Sequence, residues 1–278
     1  MIKIKIIGDL IPSGNFVVHS KFKNVVNFVN SENELLSISL NVTYLSPNSI
    51  ILESIDIQII EKIEINKNEI LINNLKFETS KINKFDSYFN FPDLHSEYII
   101  NSVIYFLEDK IKQLSTKSLI FLIEPENEIY FESKFEQAYV NYMKLAFAKF
   151  LDGNIVECAK LMKGAGFGLT PGGDDFIAGM LIAIHVLESN FSQNFSDLRI
   201  KIMENSLGKN LISNSLLIFS TKGAIFKRFY DFLFSFVNDN NSSIEPFNML
   251  ISIGETSGSD MLAGFLIMLK HRKLLNNL

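Results

Sequence analysis

A glycine-rich segment in the second half of the chain carries the residues best suited to chemistry. It reads Gly164-Ala-Gly-Phe-Gly-Leu-Thr-Pro-Gly-Gly-Asp-Asp175 and leads into a long apolar stretch. Thr170 followed by Pro171 is typical of the N-cap and first position of a helix. Such a helix would present bare backbone N–H groups at its positive end, where anions bind. The segment therefore predicts an anion-binding helix start, with candidate substrate-binding residues Gly166, Gly168, Thr170, Gly172 and Gly173.

Two adjacent aspartates at this helix start add chemistry that a plain phosphate loop lacks. No lysine follows the glycines and no strand pattern precedes Gly164, which disfavours both a Walker-type loop and a dinucleotide fold. Asp174 and Asp175 are candidate catalytic residues. They can complement the helix dipole, hold a hard cation such as Mg²⁺, or bind amide or amine groups of a substrate. The structural alternative is an unusually glycine-rich connection between two helices.

A second segment near the C-terminus repeats the first. The pattern Gly-x-Thr-x-Gly-x-Asp over 168–174 recurs without a gap over 254–260, and a shift of one residue then aligns 177–181 with 262–266. We therefore expect the two helix starts to face each other and to line one polar pocket. The second start contributes Asp260 as a candidate catalytic residue, and Thr256, Ser257 and Gly258 as candidate substrate-binding residues.

Two further places offer weaker candidates for substrate binding. Ser213 lies one helical turn from Asn210 and next to Asn214, so these side chains either form one polar face or cap the helix there. In the N-terminal part, His19 and Ser20 follow a predicted strand. We include Ser213 and His19 among the candidate site residues.

The elements that position these residues change character along the chain. Up to about residue 90, short runs rich in Ile, Val and Phe alternate with turn residues, as at 16–19, 35–40, 49–52 and 55–60. After Pro92 the apolar spacing becomes helical, and Asp93 or Ser96 can cap the first helix. We predict an α+β protein, with a β-rich sheet or small barrel over 1–92 and a mainly helical domain over 93–278.

The predicted helices account for most of the second domain. The segment 119–123 is ambiguous and can form a last strand. Helices are expected from about residue 96 to 114 and then at 133–151, 154–163, 172–189, 195–206, 210–220, 222–238 and 258–273.

Composition limits the partners and the compartment. The formal net charge of −5 argues against nucleic acid, whose affinity for proteins comes mainly from Lys and Arg. Cys158 is the single cysteine, so an intrachain disulfide is impossible. The N-terminus lacks a signal-peptide core, and the longest apolar stretch, 176–187, is too short to span a bilayer. We expect a cytoplasmic protein that binds neither nucleic acid nor membrane.

The two glycine-rich segments resemble those of a bacterial family associated with the AllH-type subunit of oxamate carbamoyltransferase. The family pattern G-x-G-x-G-L-T-P-x-G-D-D-x-L-x-G is similar to residues 164–179, and G-x-S-S/T-G-x-D-x-L-x-G is similar to 254–264. A middle element departs from the family, because Asn210 stands before Ser213 where a Thr is usual. The resemblance extends over about residues 135–270 and is otherwise confined to His19-Ser20-x-Phe22 with Asn27.

The resemblance implies a subunit that helps convert oxalurate and phosphate into oxamate and carbamoyl phosphate during anaerobic use of allantoin and purine nitrogen. It also implies partner subunits of the FdrA-like type. The ligands are all anionic, which suits paired anion-binding helix starts. One aspartate of the pair Asp174 and Asp175 would then orient the carbamoyl NH₂ or hold Mg²⁺, while backbone N–H groups stabilise the developing oxyanion.

Two other functions remain open on the residues alone. One is a Mg²⁺-dependent enzyme acting on a nucleotide-like or ADP-ribose-like substrate, since helical enzymes of that kind also place acidic residues at glycine-rich helix starts. The other is a non-catalytic subunit whose loop binds a ligand or docks another chain.

Overall fold

The computed structural model describes residues 2–53, 55–89, 96–191, 194–237 and 243–277. It confirms the α+β class, because strands dominate the first part of the chain and helices the rest. Contacts divide the chain into two compact units. We call Met1–Phe89 with Ala224–Tyr230 the sheet unit, and Asn90–Gly223 with Asp231–Leu278 the helical unit. Pro92 and Asp93, the predicted boundary and one predicted helix cap, lie outside the described residues.

Nine strands in the described part of the sheet unit form one mostly antiparallel sheet in the order β8-β7-β6-β2-β3-β4-β5-β1-β9. The β4–β5 and β1–β9 pairs are parallel. The strands are β1 (Lys3–Gly8), β2 (Gly14–Lys21), β3 (Val25–Val29), β4 (Leu35–Ser39), β5 (Ser49–Glu53), β6 (Lys62–Ile65), β7 (Glu69–Ile72), β8 (Leu75–Glu78) and β9 (Lys84–Phe85).

One face of this sheet buries the core of the unit. Alternate residues such as Phe16, Phe28 and Ile38 are fully buried, as a period of two along each strand requires. The later segment Ala224–Tyr230 belongs to the same unit, where the Ile225 amide donates to the Ser87 carbonyl at 3.0 Å. Arg228 donates to the Thr43 carbonyl at 3.1 Å.

The helical unit follows the predicted periodicity with local differences. Ser96 caps the first helix, as one of the two predicted caps. The helices are α1 (Glu97–Lys110), α2 (Lys134–Leu151), α3 (Ile155–Met162), α4 (Gly172–Phe191), α5 (Ser196–Ser206), α6 (Leu211–Lys222), α7 (Lys227–Phe234), α8 (Ile244–Ile251) and α9 (Ser257–Lys270). No described helix is long and apolar enough to cross a membrane.

The strand predicted over 55–60 is wrong, and the ambiguous segment 119–123 is not a strand; both contain a single turn of 3₁₀ helix. In 55–60, the Asp56 carboxylate accepts from the Gln58 amide at 2.9 Å and starts a turn over Ile57–Ile59. In 119–123, the Ser118 hydroxyl accepts from the Ile120 amide and starts a turn over Leu119–Leu122. Asp and Ser side chains that bond the backbone two residues ahead favour turns over strands.

Two helix predictions also differ from the structure. The helix expected over 222–238 is only α7, because Gly223 ends α6 in the left-handed conformation with φ 75°. Helix α8 was not predicted. Pro246 occupies its first turn, where the missing N–H breaks no helical hydrogen bond.

Helices α4 and α9 form the centre of the helical unit and are buried almost all round. Their backbones touch at two glycines. A Cβ on Gly179 would lie 1.9 Å from the Met261 carbonyl oxygen, and a Cβ on Gly264 would lie 2.0 Å from that of Phe176. Gly264 follows Gly179 by the same number of residues as Met261 follows Phe176. Each helix therefore places its glycine against the equivalent carbonyl of the other helix. The same separation pairs Asp175, rather than Asp174, with Asp260.

Candidate functional site

The two glycine-rich segments meet at the N-terminal ends of α4 and α9. The Thr170 and Ser257 hydroxyl oxygens are 3.1 Å apart, within hydrogen-bonding distance, although the residues are 87 positions apart in sequence. They lie at a cavity of about 540 Å³ in the helical unit. Its lining residues are Lys117, Phe131, Glu136, Tyr139, Phe167, Gly168, Leu169, Thr170, Gly172, Ile212, Ile253, Gly254, Glu255, Thr256, Ser257 and Asp260.

Asp260 forms part of the cavity wall and is buried. Its Oδ1 accepts a 2.6 Å hydrogen bond from the Leu119 amide. Burial raises the pKa of its carboxyl to about 7, although the Leu119 amide and the Thr256 hydroxyl favour the charged form. A side chain that titrates near neutral pH can both give and take a proton there.

Asp175 lies behind the cavity wall, fully buried. The Thr170 hydroxyl donates to its Oδ2 at 3.0 Å, and the Ser257 hydroxyl is a second partner. Its Oδ1 has no hydrogen-bond partner in the described part of the chain. Burial raises the pKa of this carboxyl well above its ordinary value, and the charge of Asp260 raises it further. Asp175 and Asp260 therefore form a buried acidic pair.

Tyr139 on α2 brings a hydroxyl to the same wall. A Cβ placed on Gly172 would lie 3.3 Å from the Tyr139 hydroxyl and 2.9 Å from Asp260 Oδ2, so only glycine lets these groups approach the start of α4. Burial raises the pKa of the Tyr139 phenol, as do the charges of Asp260 and Asp175. The phenol therefore stays protonated and can donate a hydrogen bond.

Asp174 has a different environment from Asp175. Its Oδ1 accepts a 2.7 Å hydrogen bond from the Gly164 amide, which ties the start of the glycine-rich segment to α4. Asp174 is buried and is not among the residues that line the cavity.

The expectation of bare N–H groups at the start of α4 is wrong for the amides of Gly173 and Asp174. The Gly173 amide donates to the Ala165 carbonyl at 2.8 Å, and the Asp174 amide donates to the Pro171 carbonyl at 2.9 Å. The helix begins at Gly172, as predicted for 172–189, but Pro171 precedes it instead of forming its first position. The Thr170 hydroxyl bonds the Asp175 side chain instead of the helix backbone.

Three predicted glycines serve the backbone rather than the cavity. Gly166 has φ 126°, and a Cβ there would lie 2.5 Å from the Gly172 nitrogen. Gly173 packs against the Met162 carbonyl and Gly258 against the Leu250 carbonyl, each at a distance that excludes a Cβ. They do not belong to the cavity lining, in contrast to Gly168 and Gly172.

Ser213 and His19 also lie outside the lining. Asn210 caps α6 by accepting from the Ile212 and Ser213 amides. Asn214, inside α6, bonds the backbone of Gly208, so both amide side chains serve the backbone rather than one polar face. The buried Ser213 hydroxyl has no partner in the described part of the chain.

His19 belongs to the sheet unit. It is exposed on β2, with Nδ1 3.1 Å from the Ser20 hydroxyl. Ser20 in turn accepts from the buried Asn27, and Asn27 accepts from Ser37, so a polar row crosses strands β2, β3 and β4.

The sequence patterns missed three charged residues of the lining, namely Lys117, Glu136 and Glu255. Lys117 and Glu136 form an ion pair with 2.7 Å between Nζ and Oε1. Glu136 does carry a sequence signal, because Ser133-x-x-Glu136 is a capping box at the start of α2, but that signal is structural. No pattern around Lys117 distinguishes it from other surface lysines.

Among the described residues, no three His, Cys, Asp or Glu side chains are grouped as a metal ion would require. The acidic pair Asp175 and Asp260 provides two carboxylates, and Asp174 is engaged by the Gly164 amide.

Comparison with known protein families gives two matches. A family model described as oxamate carbamoyltransferase subunit AllH matches residues 162–269, which include both glycine-rich segments. A model described as the AllH family N-terminal domain matches residues 4–84, in the sheet unit. Searches of curated proteins and of solved structures returned no match. The two models describe parts of one family and together cover more than half of the chain, which therefore belongs to the AllH family.

Proposed function

We propose that this chain is a subunit of a carbamoyl-transferring enzyme and that the cavity between the starts of α4 and α9 binds its small anionic substrate. In the proposed reaction, phosphate takes the carbamoyl group of oxalurate, giving carbamoyl phosphate and oxamate. The observation that carries the proposal is the convergence of both glycine-rich segments on one cavity, through the contact of Thr170 with Ser257. A volume of about 540 Å³ is ample for these ligands.

Proton balance gives Asp260 a role in this reaction. A phosphate oxygen forms a bond to the carbamoyl carbon, and the bond from that carbon to the oxamate nitrogen breaks. Hydrogen phosphate loses one proton and the leaving nitrogen gains one. A wall carboxyl with a pKa of about 7 can accept the first proton and donate the second without net change in charge.

The Tyr139 hydroxyl suits the charge that develops on the carbamoyl oxygen, because it stays protonated and lies at the cavity wall. Hydrogen-bond donors held in place before the reaction stabilise such an oxyanion more than mobile water does. The hydroxyls of Thr170 and Ser257 also line the wall, but each has a single donor hydrogen and bonds Asp175 with it, so they hold that carboxyl in place. Thr256 bonds Asp260 in the same way.

We infer that the chain works with protein partners, because the family description names a subunit. Partner subunits of the FdrA-like type, a cytoplasmic setting and a place in allantoin or purine nitrogen catabolism belong to this proposal. In this proposal Mg²⁺ would bind together with phosphate at Asp260, the carboxylate of the acidic pair that lines the cavity.

The test is an assay of carbamoyl phosphate formed from oxalurate and phosphate, with the chain alone and with its co-expressed gene neighbours. Asp260→Asn keeps an acceptor for the Leu119 amide but cannot carry the proton, so we expect kcat to fall about 100-fold or more. Asp152→Asn, at an exposed position after α2, is the matched control and should leave kcat unchanged.

Two results would count against the proposal. If wild-type assemblies form no carbamoyl phosphate, the reaction is wrong. If Asp260→Asn supports wild-type kcat in an active assembly, the chemistry belongs to a partner and this chain is a ligand-binding subunit. Activity that depends on added Mg²⁺ with a nucleotide-like substrate would favour the other sequence-based alternative.

A further inference from the structure

Lys117 is the one cationic side chain among the described residues that line the cavity. We propose that Lys117 is the substrate's anion-binding residue, and that the ligand is a small molecule with an anionic end at Lys117 and a carbamoyl end at the Asp260 wall. This inference rests on the proposed function, since it names the group that orients the substrate of the same site.

The turn that carries Lys117 is held at both ends by the start of α9. The Ser115 amide donates to the Ser259 hydroxyl at 2.9 Å, and the Leu119 amide donates to Asp260 Oδ1 at 2.6 Å. The turn itself closes where the Ser118 amide donates to the Ser115 carbonyl at 3.0 Å. The second glycine-rich segment therefore positions the backbone of Lys117 relative to the cavity.

The ammonium group of Lys117 is fixed as well. Glu136 Oε1 accepts from the Lys117 ammonium, and Glu136 Oε2 accepts from the amide and the hydroxyl of Ser133. The capping box of α2 therefore fixes the carboxylate to which Lys117 is bonded. The hydrogen bond that Lys117 donates to Glu136 raises the pKa of Lys117, and the charges of Glu132 and Glu255 add to this effect. Lys117 therefore stays charged at neutral pH.

An anion can still bind at this position. An ammonium group has three N–H donors, and Glu136 accepts from one of them. About half of the Lys117 side chain is exposed, so the remaining donors are accessible. The nearby carboxylates repel a ligand that is anionic throughout and favour one that also carries N–H donors, such as a carbamoyl NH₂.

Binding of oxamate and of inorganic phosphate to the full-length chain tests this inference without requiring turnover. We expect Lys117→Met to weaken oxamate binding, measured by calorimetry or by ligand NMR, about tenfold or more, and Lys117→Arg to retain most of it. Lys144→Met is the matched control: Lys144 pairs with Glu128 at 2.8 Å, is equally exposed and does not line the cavity. It should leave binding unchanged.

Positioning of the turn gives a second variant. Ser259→Ala removes the acceptor for the Ser115 amide and so loosens the turn that carries Lys117, without substituting Lys117 itself. It should therefore weaken oxamate binding. Equal oxamate binding by wild type and Lys117→Met would overturn the inference, because Lys117 would then only neutralise Glu136.

The binding results separate this inference from the proposed reaction. If oxamate binding depends on Lys117 but the assembly forms no carbamoyl phosphate, the anion site is supported and the reaction is refuted. The converse, turnover with a KM unaffected by Lys117→Met, would keep the reaction and refute the anion site.

Discussion

The two carboxylate oxygens of Asp260 have different neighbours. Oδ1 holds the Leu119 amide and so the turn that carries Lys117, while Oδ2 lies beside Gly172 at the cavity. A buried carboxyl is retained at a cost in stability, because desolvation disfavours its charged form. Because the pKa of this carboxyl differs between the folded and the unfolded protein, the free energy of unfolding depends on pH, and this dependence can be measured.

The contribution of Asp260 to the free energy of unfolding should fall as pH rises from 4 to 7. In this range the folded protein keeps a proton on Asp260, whose pKa is about 7, while the unfolded chain releases it near pH 4. The folded state therefore binds more protons, and the decline is on the order of 4 kcal/mol for this carboxyl before it levels above pH 7. Asp175, whose pKa is also raised, contributes with the same sign.

Urea unfolding at several pH values checks this prediction. Asp260→Asn cannot titrate and should show a shallower decline than wild type, whereas Asp152→Asn should follow wild type. Parallel profiles for wild type and Asp260→Asn would mean that this carboxyl is ionised in the folded protein throughout the range.

Residues of the site differed in how far the sequence revealed them. Asp260 and Thr170 were predicted from the repeated Gly-x-Thr-x-Gly-x-Asp pattern, whose spacing is local, and Ser257 was predicted as a neighbour within the second copy. Lys117 and Tyr139 were not, because each reaches the cavity only through the packing of other elements and carries no local signal. The gapless alignment also matched Asp174 with Asp260, whereas the helix contacts pair Asp175 with Asp260.

At the scale of elements, the contact between α4 and α9 determines whether the two glycine-rich segments meet. Gly179 and Gly264 let the two backbones touch, and their reciprocal arrangement places both helix starts side by side. Small residues spaced along a helix allow such an approach, and any added Cβ must push the helices apart.

Gly179→Ala and Gly264→Ala should each destabilise the protein by about 3 kcal/mol, because the new Cβ would lie within about 2 Å of a carbonyl oxygen. Alanine is the better helix former by about 1 kcal/mol, so any loss has to come from the contact. Gly208→Ala is the control: its nearest neighbour would be Lys163 Cε at 3.6 Å. Thermal unfolding measures all three, and wild-type stability of Gly179→Ala would refute the close contact.

The element-level prediction succeeded where periodicity was long and failed where a single side chain decided the outcome. Helix α2 combines a helical apolar pattern with a capping box, and α4 and α9 are long apolar runs. The runs 55–60 and 119–123 are as apolar as strands, but Asp56 and Ser118 convert them into turns. The pairing order of the sheet depends on contacts between distant residues and has no local signal.

At the scale of the whole molecule, the sheet unit includes a segment from late in the chain. Ala224–Tyr230 lies between α6 and the end of α7, yet the Lys227 amide donates to the Leu45 carbonyl at 2.9 Å and the Ile225 amide to that of Ser87. Residues 1–89 alone therefore do not make up the whole sheet unit, because they lack the segment Ala224–Tyr230.

Hydrogen exchange should show this membership. The amides of Ile225 and Lys227 should be released only when the sheet unit opens. Their free energies of opening, measured by hydrogen exchange, should therefore equal those of amides in the central strands of the sheet. The amide of Asn214, which donates to the Asn210 carbonyl at 2.9 Å in the first turn of α6, is the comparison within the helical unit. Exchange of Ile225 and Lys227 in step with α6 would contradict the assignment.

The contact between Thr170 and Ser257 also has a consequence for synthesis. A ribosome releases the first glycine-rich segment long before the second, since 87 residues separate the two hydroxyls. In the nascent chain the cavity therefore stays incomplete, and the carboxyl of Asp175 lacks its partners on α9, until α9 emerges and docks. Substrate cannot guide the stages of folding that precede this docking.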